Sequence, residues 1–200
     1  MKVGIFCEES QVICKAFRKQ GHEAYSFDLQ DCSGGHPEWH IKGDILNYID
    51  IYFDLIVFHP TCRYITNSGV RWLYKEEGRW DKLDDACDFF NLRHQFNSPR
   101  VATENPIPHK HAVAKIGKYD QLTQPWQFGH KESKATCFWL KGLPRLKPTK
   151  VVGPPPKKMT AKEKASWNKV HYMSPGPERE KLRSKTYSGI AKAISKQWIG

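Results

Sequence analysis

Apolar residues fall along this chain in short runs that end at polar clusters. Val3-Gly4-Ile5-Phe6-Cys7 is closed by Glu8-Glu9-Ser10-Gln11, and Val12, Ile13, Ala16 and Phe17 then recur at helical spacing up to Gly21. The pattern predicts a strand, a turn and a helix. His22 to Phe27 alternates and stops at Asp28. After the loop Ser33-Gly34-Gly35-His36-Pro37, a third strand-like piece, Trp39-His40-Ile41, leads into Gly43-Asp44. Asp54-Leu55-Ile56-Val57-Phe58 carries a continuous apolar run, as expected of a strand covered on both faces of a parallel sheet, and His59-Pro60 bounds it. A helical stripe of Leu83, Ala86, Cys87, Phe89, Phe90, Leu92 and Phe96 within residues 81–97 precedes Arg100-Val101-Ala102-Thr103, a strand ending at Glu104-Asn105-Pro106. Residues 107–130 lack a clear period, and Thr136 to Leu140 reads as another strand. Prolines 144, 148, 154–156, 175 and 177 argue against long regular structure over 144–177. A last helix is expected from Tyr187 to Trp198, with Ile190, Ala193, Ile194 and Trp198 on one side.

Strands alternating with helices through short links indicate an α/β, doubly wound, mostly parallel sheet, whose ligands bind at the carboxyl ends of the strands. Glu8, Asp28, Asp44, His59-Pro60-Thr61-Cys62 and Glu104-Asn105-Pro106 each follow a predicted strand, so the topology gathers them on one edge. Asp28 lies 20 residues past Glu8, where an acidic side chain can accept both ribose hydroxyls of an adenosine-containing ligand; it reads equally as an exposed strand-end carboxylate. Asp44 can accept from an adenine amino group or cap the turn that starts at Ile45. The first turn has no GxGxxG cluster, which disfavours a pyrophosphate and favours a nucleoside ligand without phosphates.

Cys62 and Glu104 end neighbouring strands. A thiolate activated by Arg63 or Lys134 could add to a conjugated carbon while a protonated Glu104 donates to a ring nitrogen, which is how a pyrimidine is activated at carbon 5. His36-Pro37-Glu38-Trp39-His40 offers three metal-ligand types in five residues, yet the deaminase zinc pattern and its second cysteine are missing, so no metal is expected.

Composition adds three points. The 200 residues include 10 Phe, 7 Trp and 8 Tyr, enough to build a core and to set aside a disordered chain. The net charge of +11 is carried by residues 141–200, with 15 basic and 3 acidic side chains, against 17 and 18 before them. That segment could bind a polyanion or form a solvated tail. No run approaches the roughly 20 apolar residues that span a bilayer, and Phe6 gives way to acidic Glu8-Glu9 rather than a signal-peptide core, so a soluble, cytoplasmic protein with reduced thiols is expected.

The order Glu8, Asp28, Asp44, Pro60-Thr61-Cys62, Glu104-Asn105-Pro106 resembles the cytosine-5 DNA methyltransferase family. Cys7-Glu8-Glu9-Ser10-Gln11, Gly34-Gly35-His36-Pro37-Glu38-Trp39-His40, Gln124 to His130 and Lys134 to Leu140 are similar to compact methyltransferase-like proteins of bacteriophages and prophages. The resemblance implies a Rossmann-like fold dependent on S-adenosylmethionine. It also implies catalytic Cys62, Glu104 and Lys134, cofactor contacts from Phe6, Glu8, Asp28, Asp44, Pro60 and Ser188, and cytosine contacts from Asn105, Arg63 and Thr136. Lys134 stands where the family has an arginine, Pro-Thr-Cys stands for Pro-Pro-Cys, and Phe6-Cys7-Glu8-Glu9-Ser10 replaces Phe-x-Gly-x-Gly. The expected organisation is a core over 1–143, an irregular basic Pro-rich segment over 144–183 in place of a target-recognition domain, and a helix over 184–200 packing back on the core. DNA is the implied partner. A methylase of free cytosine nucleotide or single-stranded nucleic acid, and a non-catalytic nucleoside- or DNA-binding protein, remain as other readings.

Overall fold

The computed structural model describes residues 1–199. Strands β1 (Lys2–Phe6), β2 (Glu23–Asp28), β3 (His40–Lys42), β4 (Leu55–Phe58) and β5 (Val101–Asn105) run parallel, joined by β6 (Gln121–Thr123) and β7 (Thr136–Lys141) in the order β3-β2-β1-β4-β5-β7-β6. Strand β7 is antiparallel to both its neighbours. This is the expected α/β, doubly wound, mostly parallel sheet. Every side chain of β4 is buried, because the strand lies between β1 and β5 and helices cover both of its faces.

Helices α1 (Val12–Arg18), α2 (Arg79–Asn91), α3 (Lys110–Ile116), α4 (Ala161–Trp167), α5 (Lys169–Tyr172), α6 (Pro177–Ser184) and α7 (Ser188–Gln197) complete the chain. On one face, Ile13, Cys14 and Phe17 of α1 pack with Ile190, Ala191 and Ile194 of α7 over Val3, Ile5 and Val57. Trp198 closes this core at 1% exposure, with its indole N–H donating to the Pro144 carbonyl at 2.9 Å. A side chain buried to that degree contributes about 2–3 kcal/mol. On the other face, α2 and α3 bury Leu83, Phe90 and Ile116, and a separate cluster stacks Phe6 edge-on against Phe27, Phe53 and Phe96.

Two stretches differ from the sequence expectation. Residues 107–130 hold α3 and the three-residue β6; His109 caps α3 by accepting from the Ala112 amide at 3.1 Å, and Gly117, at φ 76°, ends it. Two turns of helix and three residues of strand are too short to show a period. Irregular structure in the Pro-rich segment extends only to Thr160, whose capping box with Glu163 starts α4. Pro177 takes the first position of α6, where its missing N–H costs nothing, so it starts a helix instead of breaking one.

Candidate active site

The parallel register brings the ends of β1, β2, β4 and β5 to one edge of the sheet. The β1–α1 turn is unusual in carrying two non-glycine residues in the left-handed region, Cys7 at φ 60° and Gln11 at φ 55°. Gln11 is fully buried; its side-chain amide donates to the His36 carbonyl at 2.7 Å, and its oxygen accepts from the His36 amide at 3.1 Å. The loop after β2 is thereby clamped to the first turn, and Gly34 must be a glycine, since a Cβ there would lie 2.5 Å from the Gln11 side chain. His36 stacks on Trp39 at 3.8 Å and bonds Glu38, while His40 bonds Ser26, so this histidine cluster is occupied with holding the loop.

Glu8 turns onto the start of α1. Its carboxylate accepts from the Ile13 and Cys14 amides at 2.7 and 3.1 Å, using the donors at the start of α1. At 5% exposure its burial outweighs those bonds and the attraction of His59, and its pKa is raised to about 7. Phe6, expected to touch a cofactor, is wholly within the phenylalanine cluster. Asp28 and Asp44 each make one local bond, to the Gln30 and Leu46 amides, and both carboxylates help burial to push the Cys7 thiol up, so the three side chains share one neighbourhood. Asp44 thus caps the turn from Ile45, as one of its two sequence readings has it.

Cys62 follows Pro60 in the loop after β4. Asn105, 1% exposed at the end of β5, donates its amide N–H to the Pro60 carbonyl at 3.0 Å. It thereby pins the cysteine loop to the neighbouring strand. Glu104 faces His59 across the same gap, with Nδ1 and Oε2 2.9 Å apart and both side chains largely buried. Burial raises the Glu104 pKa, but the His59 hydrogen bond and the charges of His59 and Lys134 prevail and hold it below the usual carboxylate range. Glu104 is therefore ionised, not protonated as the sequence reading had it. Cys62 is likewise a thiol and not a preformed thiolate: burial raises it, and Glu104 adds to that against the pull of Arg183 and Lys134. The other expected activator, Arg63, lies 5.7 Å from the Tyr64 ring instead.

Antiparallel pairing sets Asn105 opposite Cys137, which carries Lys134 to the carboxyl end of β5. The Lys134 ammonium donates to the carbonyls of Arg183 and Lys185, so the segment between α6 and α7 straps over it. Thr136 is buried, its hydroxyl donating to the Lys134 carbonyl at 3.3 Å. With His59, Glu104, Thr186 and Tyr187, these residues enclose about 10 Å³, the size of one water molecule. The strap is anchored at α7: Tyr187 donates to Glu132 at 2.8 Å, and the His130 Nε2 accepts from the Gly189 amide at 3.0 Å. Ser188 is exposed and lies 3.5 Å from that same nitrogen.

The structure thus brings Cys62, Glu104, Lys134, Thr136 and Asn105 together, and groups Asp28 with Asp44 beside Cys7. Phe6 turns into the phenylalanine cluster, Glu8 turns onto the amides of α1, and the Arg63 guanidinium lies over the Tyr64 ring. Sequence reasoning missed His59, His130 and Arg183 as individual residues. For His59 the available signal was a histidine directly after a fully apolar run, inside a polar stop already noted.

No family model matches the chain, and no curated protein matches it. Among solved structures, it is similar to a candidate DNA modification methyltransferase encoded within an E. coli prophage, with 12% identity, a TM-score of 0.48, and coverage of 76% of this chain and 52% of that one. It is also similar to the Entamoeba histolytica methyltransferase EhMeth, with 13% identity, a TM-score of 0.51, and coverage of 76% and 57%. The chain spans little more than half the length of these structures. At this level of identity the likeness to EhMeth concerns architecture: the seven-stranded α/β fold of this chain is one that a methyltransferase also has.

Proposed function

We propose that the chain is an S-adenosylmethionine-dependent cytosine-5 methyltransferase acting on DNA. The observation that carries this reading is the placement of the Cys62 thiol and the His59–Glu104 pair on adjacent strand ends, with Lys134 near both. The residues fit the adenosyl half of the cofactor. Asp28 and Asp44 each keep a second carboxylate oxygen with no partner among the described residues, suited to ribose hydroxyls and an exocyclic amine. When bound, S-adenosylmethionine supplies an electrophilic methyl group.

In this reading Cys62 gives its proton to solvent and its sulfur adds to carbon 6 of cytosine, which makes carbon 5 nucleophilic. Ionised Glu104 accepts a hydrogen bond from the exocyclic amine, and the proton between His59 Nδ1 and Glu104 Oε2 is available to ring nitrogen 3. Once carbon 5 has taken up the methyl group, its proton passes to solvent and the Cys62 sulfur leaves carbon 6, which restores the ring. A duplex target has to be flipped out of the stack. We assign the core to residues 1–143 and contact with the phosphate backbone to the basic segment 144–183, which leaves little surface for reading bases in a groove.

The little surface left for reading bases favours one second reading, a small substrate such as a free cytosine nucleotide. Nucleoside mass spectrometry after incubation with S-adenosylmethionine and duplex DNA, single-stranded DNA or dCMP tests both. 5-Methylcytosine in the DNA pools that disappears with Cys62→Ala supports the proposal. Methylation of dCMP alone moves the assignment to the nucleotide, and DNA binding without any methylation moves it to a binding protein.

A further inference from the structure

We infer that His109 is a positioning residue for Cys62, holding the far side of the cysteine loop as Asn105 holds the near side. This role rests on Cys62 being the nucleophile, as proposed above, whereas the contacts themselves do not. The carbonyls two residues before and two residues after Cys62 are both occupied: Asn105 donates to the Pro60 carbonyl at 3.0 Å, and the His109 Nε2 lies 3.0 Å from the Tyr64 carbonyl oxygen. Asn105 and His109 are each 1% exposed, and both belong to the short stretch that begins with Glu104. The acid and the two holds on the cysteine loop are thus carried on one piece of chain.

Backbone pairing ties the same two stretches together. The Ile65 carbonyl accepts from the His109 amide at 3.0 Å, the Ile107 carbonyl accepts from the Asn67 amide at 3.2 Å, and Thr66 and Pro108 form an antiparallel bridge. This pairing begins at Ile65, so the Tyr64 carbonyl, between it and Cys62, is left to the His109 ring. From α2, the Arg79 guanidinium lies 4.6 Å from the Tyr64 ring and covers the same residue.

One tautomer satisfies both sides of the imidazole. A carbonyl only accepts, so Nε2 carries the proton, and Nδ1 stays bare to accept from the Ala112 amide at 3.1 Å as the cap of α3. A second proton would set an N–H against the Ala112 N–H. Burial, helped by the neighbouring charge of His111, holds the His109 pKa below the ordinary histidine range and keeps the ring in this neutral form. The two contacts can be separated by substitution, since an Asn side chain reaches as far as Nδ1 and a Gln side chain as far as Nε2. Asn is also among the best N-cap residues.

The test is the rate of Cys62 alkylation by iodoacetamide at pH 8, read by peptide mass spectrometry in the parent chain, His109→Asn and His109→Gln. Each variant loses one hydrogen bond, so both melting temperatures should fall by about 2–4 °C. His109→Asn keeps the cap but frees the Tyr64 carbonyl, and Cys62 should react about threefold faster or more as its loop opens to water. His109→Gln keeps the loop hold and should match the parent rate. Under the proposed function His109→Asn should also lower kcat about tenfold with little change in KM, and His109→Gln should restore it. Long-range proton–nitrogen-15 NMR should find the ring proton on Nε2. A proton on Nδ1, an unchanged Cys62 rate in His109→Asn, or equal acceleration in the two variants would overturn the inference. Absence of methyl transfer in every form would count against the proposed activity, and the alkylation rates would still decide whether His109 holds the loop.

Discussion

His59 Nδ1 and Glu104 Oε2 meet at 2.9 Å although 45 residues separate them, and this contact sets the charge of the candidate site. A carboxyl held below its usual pKa adds stability that is present above the carboxylate range and is lost as pH falls through the depressed value. His59→Gln removes that contribution. Urea denaturation at pH 7 should show a loss of about 1–2 kcal/mol, narrowing as the pH falls below the carboxylate range. Under the proposed function, the acid limb of methyl transfer should also move to higher pH. An unshifted limb would count against a role for the pair in proton handling.

Burial holds the Cys62 thiol above its ordinary pKa, with Arg183 the largest force in the other direction. Methyl transfer and alkylation of Cys62 by iodoacetamide should therefore both still be rising with pH above neutrality. Arg183→Gln should slow alkylation several-fold at pH 8. Peptide mass spectrometry resolves Cys62 from the buried Cys14, Cys87 and Cys137. A rate already flat at pH 7 would mean a preformed thiolate and contradict this geometry.

Glu8 works in the opposite direction to Glu104. Its folded pKa of about 7 exceeds the value of 4.5 expected when unfolded, so between those values the folded state holds a proton that the unfolded chain has lost. Stability should then fall as pH rises through that window, by roughly 3 kcal/mol at most. Glu8→Gln, which cannot ionise, should flatten this part of the stability profile. Melting temperatures taken from pH 4.5 to 8 on both proteins decide it.

At Gly189 a Cβ would lie 1.9 Å from the Phe128 carbonyl oxygen and 2.9 Å from the His130 ring. The backbone oxygen cannot move aside cheaply. Gly189→Ala should lower stability by about 2–3 kcal/mol and loosen α7, whereas Lys192→Ala, on the exposed side of the same helix, should change little. Thermal melts of the two variants give the comparison.

The runs that became β1 and β4 were legible because each carries an apolar stretch and an abrupt polar stop, β5 because Val101-Ala102-Thr103 ends at Glu104-Asn105-Pro106, and parallel topology does the rest. Convergence of Cys62, Glu104 and Asn105 followed from that topology alone. Orientation did not. Phe6 and Glu8 sit beside each other at the same strand end, yet one turned into the phenylalanine cluster and the other onto the amides of α1. The choice depends on a helix and a core whose positions no local pattern encodes. The His59–Glu104 contact and the clasp of His130 on Gly189 were invisible for the same reason, since each joins residues 45 or more apart. α4 was masked by the prolines before it, although Thr160 and Glu163 spelled its capping box in plain sequence.

The strap over Lys134 has a bearing on the order in which the protein is made. Cys62 leaves the ribosome more than a hundred residues before Arg183 and Lys185, whose carbonyls hold Lys134, and before Tyr187, which helps wall the space over Glu104. A nascent chain can form the β4 loop and its cysteine long before that wall exists. The wall over Glu104 is thus made well after the β4 loop, and a chain interrupted before Arg183 holds Cys62 without the carbonyls that fix Lys134 above it.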